Sequence, residues 1–271
     1  MHGPAEEEGV VNHRPVRESA TAETDRIKDG VRSLGADLVG IADLEPFREE
    51  RSIPHDLLTP FTRSVSIAVR VPLAVFGTLT DRPSPHYAAV YATVNRRLDE
   101  IALDTAALLQ DQGWRALPVP ASQILDKGDW RGALSHKAVA RMAGLGWQGK
   151  SLLLVTPRFG PRVRLVTVLT DAPLEPDRPI RNRCGTCTAC RDACPAGAIK
   201  GVSTPSRYSR RNEALHFDWC REKLTEEFAF MPSIEAPICG ICIKVCPFGI
   251  TPRRRTTGRP AAGKPISHGN R

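Results

Sequence analysis

The spacing of the eight cysteines constrains this chain more than any other feature. They run Cys184-x2-Cys187-x2-Cys190-x3-Cys194-Pro195, then Cys220, then Cys239-x2-Cys242-x3-Cys246-Pro247. Thiolates are soft ligands, and a tight CxxCxxC loop wraps three irons of one cube. The fourth cysteine of such a run, just before proline, reaches across to a neighbouring cluster when two are bound side by side. That rule assigns Cys184, Cys187, Cys190 and Cys246 to one [4Fe-4S] cluster, and Cys194, Cys220, Cys239 and Cys242 to a second. No cysteine is left over. Zinc is the alternative, because paired CxxC motifs also make zinc sites, but zinc does not account for a triplet with a reciprocal Cys-Pro at both ends.

The ligand segments are rich in small residues (Gly185, Thr186, Thr188, Ala189 and Gly240), which let backbone N–H groups approach cluster sulfurs. Between Cys220 and Cys239 the second half carries an insertion, with Phe217, Trp219, Phe228 and Phe230 expected to pack over the cluster as core. Composition is otherwise ordinary for a globular protein, at 41% hydrophobic and 25% charged residues. The net charge of +8 would suit an acidic partner, but two clusters with their thiolates reduce it to about +4. Much of the remaining excess lies in the basic stretch 252–271, read as a disordered tail. The acidic opening, residues 1–20, reads as a loose arm with no secretory signal. No apolar run is long enough to span a membrane, so the expected location is cytoplasmic, where clustered cysteines bind metal rather than form disulfides.

Residues 21–175 alternate helical and strand patterns and predict an α+β fold: a mixed α/β cofactor-binding domain ahead of a two-cluster, ferredoxin-like domain over 176–251. Strands are expected over 35–43, 64–72 and 115–120, and a long helix over 86–114 buries Val90, Val94, Leu98, Ile101 and Leu109. The stretches 151–157 and 162–171 read as a hairpin or adjacent strands. Ser135 is placed to cap a short helix beginning at His136. The segment AGLGWQGK (143–150) then brings Gly144, Gly146 and Gly149 together, which permits close backbone approach to a flat or phosphate-bearing cofactor, or simply makes a tight turn. Trp147 either stacks on that cofactor or closes the core; Lys150 either meets an anionic group or is solvated.

AGLGWQGK, the hydrophobic strand that follows it, and the two-part cysteine pattern together resemble the epoxyqueuosine reductases. The likeness extends back through LVGIAD and SVSIAVRVP, and so covers roughly residues 30–250. It implies a reductase in which two [4Fe-4S] clusters reduce a cobalamin held in the larger domain, and the reduced cofactor acts on an epoxide of a tRNA base or, in related enzymes, on a halide. It also implies an external electron donor of the ferredoxin or flavodoxin type. Two departures bear on the substrate. The family carries an Asp-x-x-Pro-x-x-Glu-like segment before AGLGW whose Asp donates a proton; here Trp130 occupies the Asp position and His136 the Glu position. The family also continues past the clusters into helical repeats that hold tRNA, whereas only a short segment follows Pro247. These departures favour a small-molecule or nucleoside substrate over tRNA, and leave a partner-serving electron-transfer protein as a further reading. His136 is the first candidate acid, or else a residue that caps its own helix. Asp129 could serve as the acid only if its loop shifts by one position. Tyr87 and Tyr91 are further possible donors.

Overall fold

The protein's computed structural model describes residues 19–250. The expected basic tail and nearly all of the expected N-terminal arm fall outside that range. Ser19 is described and caps the first helix, α1 (Ala20–Ser33), accepting from the Ala22 amide at 3.3 Å. Next come β1 (Leu38–Asp43), β2 (Arg63–Arg70), the short helix α2 (Leu73–Phe76) and the long helix α3 (Pro85–Gln110). Ser84 caps α3, and Pro85 opens it where no amide hydrogen bond is lost. Then follow β3 (Ala116–Val119), α4 (His136–Met142), β4 (Trp147–Gln148), β5 (Leu154–Val155) and β6 (Val163–Thr170).

The main sheet runs β1-β2-β6-β3 and every pairing in it is antiparallel. Both faces are covered. Val39, Ile41, Val65, Ile67, Val166 and Val168 face α1 and α3, whereas Ala42, Ala68, Leu165 and Leu169 face α4 and the loops around it. That double burial explains why β6 reads as a nearly continuous apolar run instead of alternating. The hairpin expected between 151–157 and 162–171 does not form. Thr156 and Gly160 close the turn, but β5 pairs with β4 in a separate two-stranded sheet, and β6 inserts between β2 and β3. The strand with apolar side chains on both faces takes one of the two central positions, where both faces are covered.

Past residue 175 the elements are short: α5 (Ala189–Asp192), α6 (Arg211–Ala214), α7 (Phe217–Glu222), a π turn (Lys223–Glu227), a 3-10 turn (Phe228–Phe230), α8 (Ile241–Lys244) and α9 (Pro247–Ile250). Such pieces cannot bury much alone, and this region shares its cores with the first. Phe76, Leu79 and Tyr87 pack with Ile234, Ile238 and Ile241, and Leu152 packs with Ile199 and Leu215. The ligand segments are therefore anchored to the α/β layers by apolar contact on two sides. Among the described residues no helix is long and apolar enough to cross a membrane.

Candidate metal centre and adjoining cleft

All eight thiols are free and half-buried. Their electrostatic neighbours fall into two sets. Burial pushes Cys246 up to about 11, with Cys184, Cys190 and Cys187 as its thiol neighbours. Burial likewise raises Cys239 to about 11, and its neighbours are Cys220 and Cys194. Cys242 is raised by burial and then by Cys239 and Cys220, with Cys190 of the other set also within range. Cys194, Cys220, Cys239 and Cys242 line one apolar cavity together with Ile199 and Phe228. Among the described residues no three His, Cys, Asp or Glu side chains converge on a single-ion site. A tetrahedral zinc would draw its sulfurs to within about 3.8 Å of one another, since each Zn–S bond is about 2.3 Å. Two sets of soft, half-buried, unpaired thiols fit iron–sulfur cubes, and binding would displace the thiol protons.

The segment 143–150 serves these thiols directly. Trp147 is fully buried, its Nε1–H donates to Cys184 Sγ at 3.4 Å, and its ring meets Phe248 edge-on at 4.8 Å. Lys150 is buried too, and Nζ donates to the Cys187 carbonyl at 2.8 Å. A Cβ on Gly146 would sit 2.3 Å from the Val155 carbonyl oxygen, and one on Gly149 would lie 2.7 Å from Val155 Cγ2 and 3.7 Å from Cys184 Sγ. Gly144 packs against the backbone at Arg178. This corrects the expectation that Gly144, Gly146, Trp147, Gly149 and Lys150 approach a planar cofactor in the first domain. The space beside them is filled by β5 and the first ligand loop, so they form a socket for that loop.

Two other expectations change. Of the four aromatic residues around the insertion, Phe228 is buried, and Phe217 is half-buried with Trp130 at 6.2 Å. Trp219 and Phe230 are exposed, at 52% and 79%, and do not form core. Trp219 stacks instead on His216. His136 has both ring nitrogens occupied: Nε2 lies 2.9 Å from the Pro120 carbonyl and Nδ1 lies 2.8 Å from Thr167 Oγ1. The carbonyl can only accept, so Nε2 carries the proton and Nδ1 accepts from the threonine. Burial pulls the imidazole down to about 4, against the opposing pull of the Pro120 bond. His136 is thus a neutral pin joining α4, β6 and the segment after β3, and it has no free proton to deliver. Asp129 sits in an exposed turn, paired with Arg131 at 3.2 Å and Arg51 at 3.6 Å, with no contact to His136.

The residue next to His136 is differently placed. Lys137 is open to solvent, and among the described residues it forms no hydrogen bond or ion pair. Protein surrounds it nonetheless: that enclosure, followed by the charges of Arg211 and Arg164, lowers its ammonium below the usual lysine value, with Cys220 and Cys242 as counterweights. Tyr87 is buried among Phe76, Leu79, Ile234 and Ile238; that burial raises its phenol, and Arg164, Tyr91, Cys242 and Cys239 are its electrostatic neighbours. Arg164 bonds Asn95 Oδ1 at 2.9 Å and Tyr91 Oη at 3.1 Å, and Tyr91 Oη meets Ser122 Oγ at 2.9 Å. Cationic and phenolic groups thus gather beside the second thiol set. Lys137 and Arg164 escaped the sequence reading. The signal for Arg164 is a lone arginine in an otherwise apolar central strand.

Residues 183–249 match the model of the 4Fe-4S double cluster binding domain, so the chain carries a two-cluster iron–sulfur domain. An epoxyqueuosine reductase of Bacillus anthracis is 31% identical over 213 residues, covering 75% of this chain and 52% of the relative. An epoxyqueuosine reductase solved with an epoxyqueuosine-modified tRNA-Tyr stem loop superposes with a TM-score of 0.56 and 26% identity, covering 85% of this chain and 66% of that one. A reductive dehalogenase described as B12-dependent shares the fold with a TM-score of 0.68 and 21% identity, over 88% of this chain and 33% of that one. The chain is thus a relative of the epoxyqueuosine reductases, and it spans about half the length of the curated relatives it matches.

Proposed function

We propose that the protein is an iron–sulfur reductase. Cys184, Cys187, Cys190 and Cys246 would hold one [4Fe-4S] cluster and Cys194, Cys220, Cys239 and Cys242 the other, and the pair would supply one-electron carriers between the surface and the region around Lys137 and Arg164. The observation that carries this reading is the proximity of Tyr87 and Lys137 to Cys220, Cys239 and Cys242, which brings phenol, ammonium and guanidinium groups beside the second set. By likeness to its relatives, the cofactor there would be cobalamin, which when bound would supply a reducible cobalt centre. Tyr87, Ser122, Lys137 and Arg164 are the residues that would flank it.

A two-electron reduction of a C–O or C–halogen bond consumes a proton as well. Lys137 supplies it, because the ammonium is unbonded, faces the cleft and is shifted towards neutrality. Arg164, held by Asn95 and Tyr91, orients an electron-rich substrate group. The substrate class is a small molecule or nucleoside with such a group.

The test is anaerobic reconstitution with iron and sulfide, then addition of cobalamin. Binding should shift the cobalamin spectrum towards the base-off form, and loss of any shift at micromolar concentrations refutes the corrin assignment. Lys137→Met should retain the spectral shift and iron content yet lose the alkaline limb of the rate profile, where the parent rate falls as the ammonium loses its proton, whereas unchanged kinetics would remove Lys137 from the mechanism.

A further inference from the structure

The charge around the two thiol sets is segregated. Arg178, Arg181 and Arg183 lead into the first ligand loop, all are exposed, and among the described residues none makes an ion pair. Arg183 only stands over the Trp147 ring, at 5.8 Å. Arg158 is exposed as well, over Phe159, whose carbonyl meets Gly249 just beyond Cys246. Gly185 and Thr186, inside the loop itself, are exposed, and a side chain at Gly185 would meet nothing within 4 Å. The one carboxylate of the loop, Asp192, is tied up by Arg191 and Thr188. The second set has a net acidic outer side: Glu222, Glu226 and Glu227 line a surface hollow with Lys223 and Trp219, against Pro195, and Lys223 neutralises only Glu227.

We propose that the exposed first ligand loop and its unpaired arginines form the docking face for an acidic one-electron carrier protein of the ferredoxin or flavodoxin class. Complementary charge steers association. The basic rim attracts such a carrier, and the glutamates of the second set repel it from the other end. The exposed loop leaves only a thin layer of backbone between carrier and first cluster. Each encounter oxidises the carrier by one electron and reduces this chain by one, so two encounters supply a two-electron reduction. A phosphate backbone would also favour arginines, but it gains nothing from sitting over a cluster ligand loop. The inference rests on the two-cluster domain, not on the corrin reading, so its test needs neither cobalamin nor substrate.

The experiment uses the reconstituted holoprotein and an acidic plant-type ferredoxin, reading association by biolayer interferometry over a salt series and electron delivery by bleaching of the visible cluster absorbance. Arg183→Glu and Arg181→Glu should each slow association about tenfold at low salt, and the difference should vanish as salt rises. Arg96→Glu makes the same charge change on the exposed side of α3 and should alter the rate less than about twofold. Retained iron content and absorbance show that the variants keep their clusters; Arg181→Glu, remote from Trp147, serves if Arg183→Glu does not. Ferredoxin that fails to associate at low salt, or associates equally with all variants, overturns the proposal. So does a result in which the two variants lose binding to a tRNA stem loop while ferredoxin binding is unchanged.

Discussion

Replacing Trp147 with phenylalanine separates two roles of one side chain. The indole is fully buried, packs edge-on against Phe248 and donates its only N–H to Cys184 Sγ. Phenylalanine keeps an aromatic ring but removes the donor and part of the volume. The void costs about 1–2 kcal/mol and the lost hydrogen bond about 1 kcal/mol. Together these should lower the melting temperature of the holoprotein by about 5–10 °C, at 2–4 °C per kcal/mol for a chain of this size. The redox effect is more selective. Reduction adds negative charge to cluster sulfur, so a donor to sulfur binds the reduced state more strongly and raises the potential. If half of a ~1.5 kcal/mol charge-assisted bond distinguishes the two oxidation states, its loss makes the potential about 30 mV more negative for a one-electron couple. Anaerobic titration followed by EPR reads both clusters. Only the one ligated by Cys184 should move. A melting temperature that falls while both potentials hold would show that the indole merely fills space, and a shift confined to the second cluster would refute the ligand assignment.

His136 gives a stability signature with a definite sign. Its folded value of about 4 lies below the unfolded value of 6.5, so the unfolded chain binds the extra proton between them and stability rises with pH across that window. The contribution is fully present above about pH 6.5 and is lost as pH falls towards 4; it amounts to at most about 3 kcal/mol. Urea titrations from pH 7 to 4 should show this slope in the parent and a flatter one in His136→Gln; equal slopes would remove the buried neutral imidazole as its cause. Lys150→Met strands the Cys187 carbonyl that its ammonium now satisfies and should cost about 1–3 kcal/mol. It should also reduce iron retained after gel filtration, and unchanged iron content and melting temperature would mean that water replaces the ammonium.

What the sequence disclosed, and what it hid, follows from the range over which each signal acts. The cysteine spacing is local chemistry, and the thiol neighbours in the fold sort as that spacing predicts, down to Cys246 joining the distant first triplet. The long helix and the central strands were legible because burial repeats at fixed periods. Pairing partners were not: nothing within 151–171 says that β5 turns back to β4 while β6 enters the main sheet. The Gly-rich segment was left open between a cofactor approach and a tight turn for a related reason. Glycines record that something comes close, not what it is, and here it is the first ligand loop. His136 and Lys137 differ by one helical step, about 100° around α4. That step separates a side chain pinned to β6 from one open to the cleft, and a single sequence cannot fix the phase of a seven-residue helix.

The socket also explains why the two parts of the chain act as one device. A short-helix ligand domain buries too little apolar surface to hold a cofactor rigidly unaided. Here Trp147 grips the sulfur of Cys184 and Lys150 the carbonyl of Cys187, while Tyr87 and the residues around it pack against α8, which carries Cys242. The first thiol set is thus fixed by the turn between α4 and β5, and the second by α3. Both supports belong to the same layers that shape the cleft. One packed core therefore positions both ligand segments, and loosening either support should lower iron retention as well as thermal stability.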